Sequence, residues 1–99
     1  AFLTVVFTNR SYSTGTSGLK RTYPSGVAAR TSNYEGGLLD TAPDFGKLAE
    51  CVNGYGETVS EPEALAGALR RGLDCVRKGS PAIISAHLPT VVEEMSLAK

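Results

Sequence analysis

The stretch Phe2-Leu3-Thr4-Val5-Val6-Phe7-Thr8 constrains this chain more than any other. It carries no charge, is dominated by Val, Phe and Leu, and ends abruptly in Asn9-Arg10-Ser11-Tyr12. An uncharged run with β-branched and aromatic residues on both faces reads as a strand buried on both sides, the habit of parallel sheets covered by helices. It is therefore expected to be an inner strand. In open α/β sheets ligands bind beyond the carboxyl ends of the strands, so Asn9 is the first candidate for a site.

The rest of the chain alternates in a way that suits such a sheet. A long polar stretch from Arg10 to Ala42, broken by Gly15, Gly18, Pro24, Gly26, Gly36 and Gly37, reads as a binding loop or lid. Its scattered apolar residues (Leu19, Tyr23, Val27, Tyr34, Leu38, Leu39) are expected to pack on a surface that this chain does not supply; the other reading is disorder. Thr41-Ala42-Pro43-Asp44 then has the form of a helix start, with Thr41 as cap and Pro43 in the first turn. Phe45, Leu48, Ala49 and Val52 form one stripe, and Gly54 stops it.

Tyr55 to Val59 is strand-like, and Ser60-Glu61-Pro62-Glu63 has the pattern of a capping box opening a helix over 61–78. Leu65, Leu69, Leu73 and Val76 line one face of that helix, Arg77 and Lys78 suit its last turn, and Gly79 offers a left-handed exit. Pro81 to Ala86 reads as another apolar strand, and a short amphipathic tail runs from Thr90 to Lys99. The order predicts an α/β domain, residues 1–99, with a parallel sheet, right-handed crossovers and flanking helices. Three such strands with two helices leave a face or edge uncovered, so either a second copy covers it or part of the domain lies elsewhere.

Composition narrows the partners. Ten basic residues balance ten acidic ones, which removes the field that would draw the chain to nucleic acid or an anionic membrane. No apolar run approaches the roughly 20 residues needed to span a bilayer, and a cytoplasmic location is expected. The entry of the first residues directly into a strand suggests a piece of something longer; trimming of an initial Met is the other reading. Cys51 and Cys75 lack any metal-ligand spacing and are expected to be free, buried thiols. His87, the only histidine, follows a strand but has no triad motif near it and reads as a strand-end residue. Arg21 or Arg30 could meet a substrate carboxylate by bidentate pairing, or be solvated.

Four pieces in order carry a resemblance: the strand ending in Asn9-Arg10-Ser11-Tyr12, then Pro43-Asp44-Phe45-x-Lys47-Leu48-Ala49-Glu50, then Glu61-Pro62-Glu63-x-Leu65, and Gly79-x-Pro81-Ala82-Ile83-Ile84. Together they resemble the C-terminal part of the cofactor-binding domain of thiamine-diphosphate-dependent enzymes, of the acetolactate synthase and benzoylformate decarboxylase type. The resemblance covers residues 2–88 and implies an incomplete doubly wound fold. It implies a lyase or synthase that decarboxylates 2-oxo acids and releases an aldehyde or joins a second carbonyl.

In that family magnesium links the protein to the cofactor diphosphate through an aspartate of a Gly-Asp-Gly motif, an asparagine and a backbone carbonyl two residues later. Mapped by resemblance, the asparagine is Asn9 and the carbonyl that of Ser11, with Tyr12 beside the cofactor. The Gly-Asp-Gly part is expected upstream of Ala1. Thr8 stands where members often have a first asparagine. Read without the resemblance, Asn9 is a turn residue that bonds its own backbone, and Tyr12 a half-buried aromatic. The resemblance leaves FAD open as a second cofactor and implies the remainder of a parent enzyme or a second subunit as partner, in a homo-oligomer. The activating glutamate of the family has no counterpart here, so the isolated chain is expected to have no turnover. The competing reading is a non-catalytic α/β module that self-associates through its uncovered sheet.

Overall fold

The computed structural model describes residues 1–39 and 41–90. In chain order the elements are β1 (Leu3–Thr8), α1 (Ser13–Thr22), α2 (Val27–Thr31), α3 (Phe45–Leu48) running into a 3-10 turn (Ala49–Val52), β2 (Tyr55–Val59), α4 (Pro62–Arg77) and β3 (Ala82–His87). They fall into two units, residues 1–8 with 43–88, and residues 9–42 with 89–99.

The first unit holds a three-stranded parallel sheet in the order β1-β3-β2. The α/β class and the parallel sheet are as expected. The register sets Ala82 between Leu3 and Tyr55, and Ala86 between Phe7 and Val59. One face therefore carries Leu3, Val5, Phe7, Ala82, Ile84, Ala86, Tyr55, Glu57 and Val59. The chain passes from β1 across β3 to β2 and then returns to β3. Right-handed connections in opposite directions put their helices on opposite faces. Accordingly α4 packs on the Leu3 and Ile84 face, while α3 packs on the other, against Gly56 and Thr58.

The position of β1 corrects the expectation of an inner strand. Among the described residues it pairs with β3 alone, and Phe2, Val5 and Phe7 are exposed. The inner strand is β3, whose Ala82, Ile84, Ser85 and Ala86 are buried. Half of its residues, Ala82, Ser85 and Ala86, are small. Beneath α4, Leu3 is the residue of β1 that packs on the cluster of Val59, Ala68 and Ile84, while Phe7 at the other end of the strand is exposed.

Helix α4 forms where expected, but its seam differs. Leu65, Leu69 and Val76 are half-buried and Leu73 is exposed; the closest approach is made by Ala68 and Gly72. A Cβ on Gly72 would stand 2.9 Å from Leu3 Cδ1 and 3.4 Å from Ile84 Cδ1. The helix opens at Pro62 with Glu61 as cap residue and no side-chain cap bond, so the capping box of Ser60 and Glu63 is not formed. Glu61 is extended, and its carbonyl accepts the Ala64 N–H at 3.0 Å. Gly79 provides the left-handed exit, with φ +92°.

The second expected helix is shorter than its stripe. Asp44, not Thr41, is the cap residue, and its carboxylate accepts a hydrogen bond from Thr58 at 3.2 Å. Gly46 lies close against Gly56, and the chain goes on into the 3-10 turn, which Asn53 ends with φ +53° ahead of Gly54. Leu48, Val52 and Cys51 are consequently exposed, so the thiol of Cys51 is not buried as expected; Cys75 is half-buried, and both are free.

The second unit is not an irregular loop, because it contains α1 and α2. Among its described residues Ser11, Thr16 and Tyr34 are buried, and Leu19, Tyr23, Val27, Leu38 and Leu39 are exposed. The expected tail lies mostly in residues 91–99, outside the described residues. Among the described residues no helix is long and apolar enough to cross a membrane.

Candidate functional site

Asn9 directly follows the last residue of β1, and the chain there makes a sharp turn. Arg10 has φ +51°, the left-handed region that non-glycine residues seldom adopt. The turn is closed twice: the Ser11 N–H donates to Asn9 Oδ1 at 3.2 Å, and the Ser11 hydroxyl donates to the Asn9 carbonyl at 3.2 Å. Asn9 therefore bonds its own backbone as an asparagine at a turn does. An amide oxygen has two lone pairs, and this bond occupies one of them.

A second segment holds the same turn. Ser11 stands opposite Leu38 in an antiparallel bridge, flanked by Tyr12 N–H to the Gly37 carbonyl at 2.8 Å and Leu39 N–H to the Arg10 carbonyl at 2.8 Å. In such a non-hydrogen-bonded pair the N–H and C=O of the paired residue point away from the partner strand. The Ser11 N–H goes to Asn9 Oδ1, so that amide oxygen and the Ser11 carbonyl lie on one side of the turn, and residues 37–39 on the other. Of the three expected site residues the structure thus joins Asn9 and Ser11. Tyr12 has another local duty: it is the cap residue of α1, its carbonyl accepts the Thr16 N–H at 3.2 Å, and its ring is exposed. Arg30 is tied to its own loop through the Ser25 carbonyl at 3.1 Å, and Arg21 is exposed.

In the sheet unit the carboxyl ends of the strands border an open apolar pocket of about 130 Å³, lined by Phe7, Val59, Pro62, Leu65, Ala86 and His87. His87 is the last residue of β3, in agreement with its reading as a strand-end residue.

One polar cluster was not visible in the sequence. Glu57 of β2 accepts two bonds from Arg71 of α4, 2.5 and 3.0 Å long, and one from the Tyr55 hydroxyl at 2.5 Å. The Arg71 guanidinium holds the Glu57 carboxyl below its usual range, with help from the Tyr55 hydroxyl. The bond to Glu57 pushes the Tyr55 hydroxyl up. Residues 57 and 71 lie in different elements, so no local spacing announces the pair. A Gly-Gly pair ahead of two leucines at 36–39 was the one available sign of the segment that holds the turn.

Among the described residues no group of three or more His, Cys, Asp or Glu is placed to hold a metal ion. No protein-family model, curated protein or solved structure matches the chain.

Proposed function

We propose that these residues are the C-terminal part of a thiamine-diphosphate-binding domain from a lyase or synthase acting on 2-oxo acids, with Asn9 and Ser11 contributing part of a magnesium-diphosphate site. The single observation that supports the reading is the turn after β1, which places the Asn9 amide oxygen and the Ser11 carbonyl on one side within two residues. Magnesium takes an octahedral set of hard oxygens and is commonly bound through carboxylate and phosphate. Two neutral oxygens fit as completing ligands of such an ion and are insufficient to hold it, so a carboxylate must join them. Thiamine diphosphate, when bound, supplies the electron sink for decarboxylation.

The chain's own part is to orient the two oxygens, in the residues that directly follow β1 in sequence. On this reading the open edge of β1 continues into further strands of a doubly wound sheet, the partners are the remainder of the enzyme or a second subunit, and the location is cytoplasmic. The test is calorimetric titration of the full-length protein with thiamine diphosphate at varied magnesium. Binding that needs magnesium and weakens at least about tenfold in Asn9→Ala is expected, the size seen when groups supporting a metal are removed. Binding indifferent to magnesium, or to the loss of Asn9, overturns the reading.

A second reading has its own observation. Phe2, Val5 and Phe7 are exposed on an uncharged strand whose pairing, among the described residues, is to β3 alone, and such an edge favours association with another strand. A non-catalytic module that self-associates there would dimerise without binding the cofactor, which the same titration combined with sedimentation distinguishes.

A further inference from the structure

We propose that residues 36–39 are a positioning clamp for the turn at 9–12, and that Gly36 is its positioning residue. The inference rests on the reading of Asn9 and Ser11 as ligands and adds what keeps their oxygens in place. Arg10 occupies the left-handed region at φ +51°, a conformation that persists only where the surroundings over-determine it. Besides the closure of Ser11 on Asn9, two backbone bonds hold it, Leu39 N–H to the Arg10 carbonyl and Tyr12 N–H to the Gly37 carbonyl. Both come from one short segment.

That segment is itself anchored. Tyr34 is 4% exposed, and its carbonyl accepts the Gly37 N–H at 2.9 Å, closing a turn in which Gly36 holds the third position with φ +76°. A positive φ at that position is what a type II turn requires, and glycine meets it without steric cost. A Cβ on Gly37 would overlap Thr16 Oγ1, so the segment also lies close against α1. The order of dependence runs from buried Tyr34 through the turn at Gly36 to the backbone of Gly37 and Leu39, and so to Arg10 and Ser11.

Gly36 allows a clean test, because a Cβ there would meet nothing within 4 Å and would change only the backbone preference. Gly15 offers equal space with no positive φ, so Gly15→Ala is the control. Amide exchange in the full-length protein is read first. Gly36→Ala is expected to lower protection of the Tyr12 and Leu39 amides about tenfold, the scale of the left-handed penalty, while the Ile84 amide in β3 is unchanged. Gly36→Asn, which tolerates that region, is expected to restore it.

The magnesium concentration for half-maximal binding of thiamine diphosphate is read second, and it should rise in Gly36→Ala and return in Gly36→Asn. Unchanged protection of Tyr12 and Leu39 in Gly36→Ala overturns the clamp. Lost protection with an unchanged magnesium requirement overturns the positioning role. A wild-type protein that binds no thiamine diphosphate with magnesium overturns the ligand reading itself, and the positioning role with it, whatever the amides do.

Discussion

The sheet unit and the unit of residues 9–39 keep their order by different means. In the first, side chains carry the structure: Ile84 and Ala68 are fully buried, Val59 nearly so, and Ala68 is where α4 meets the strands. Burying a residue the size of Ile84 contributes roughly 1.5–3 kcal/mol. In the second the buried set is a serine, a threonine and a tyrosine, and the shape depends on backbone bonds such as Tyr12 to Gly37 and Leu39 to Arg10. Side-chain truncation should therefore damage the first unit globally, whereas backbone preference should decide the second locally.

The largest expected effect tests whether close backbone approach, too, stabilises the sheet unit. A Cβ on Gly56 would overlap the Gly46 carbonyl oxygen, and neither backbone can yield without moving α3 off β2. Gly56→Ala is expected to cost more than about 4 kcal/mol in denaturant unfolding, beyond ordinary overpacking. A loss under 1 kcal/mol would show that α3 is held only loosely. Ile84→Ala comes next at about 2–5 kcal/mol, since it opens a cavity under α4. Gly72→Ala sharpens the contrast: its new Cβ meets the flexible end of Leu3 at 2.9 Å, and the helix gains about 1 kcal/mol in propensity. The net change should stay within about 1 kcal/mol in the same measurement.

The same contrast explains what could be read from the sequence. Strand β3 is legible as a short apolar run, β2 as the brief segment between Gly54 and the turn at Ser60, and α4 from its stripe of Leu65 to Val76 at helix period. The edge position of β1 was not, since an uncharged apolar run looks alike whether neighbouring elements cover it or leave it open. Helix α1, Ser-Thr-Gly-Thr-Ser-Gly at its start, has no apolar period at all and so looks like loop in the sequence. At the site, the Asn9 turn was anticipated from residue type alone. The hold of Gly37 and Leu39 on it was not, because backbone bonds between segments leave no pattern in side chains. Glu57 and Arg71 escaped for the same reason of distance along the chain.

That pair supplies the smallest expected effect and asks whether polar contacts matter in a unit dominated by packing. Arg71 lowers the pKa of Glu57 in the folded chain below the ordinary carboxylate value of 4.5. A depressed carboxylate contributes stability that is present above its unfolded pKa and is lost as pH falls through the folded one. Stability of the wild-type chain should thus decline below pH 4.5 more steeply than that of Arg71→Met, and the two curves should converge in acid. Tyr55 works in the opposite sense: its raised pKa favours the neutral phenol in the folded state, a contribution present below pH 10 and lost as pH rises beyond it. Tyr55→Phe should flatten that alkaline decline. The Arg71 side chain is 54% exposed, so solvent and salt screen the pair, and raising the ionic strength should shrink the acid difference. Parallel acid limbs for the wild type and Arg71→Met would mean that the pair merely decorates a surface whose stability comes from Ile84, Ala68 and Val59 beneath it.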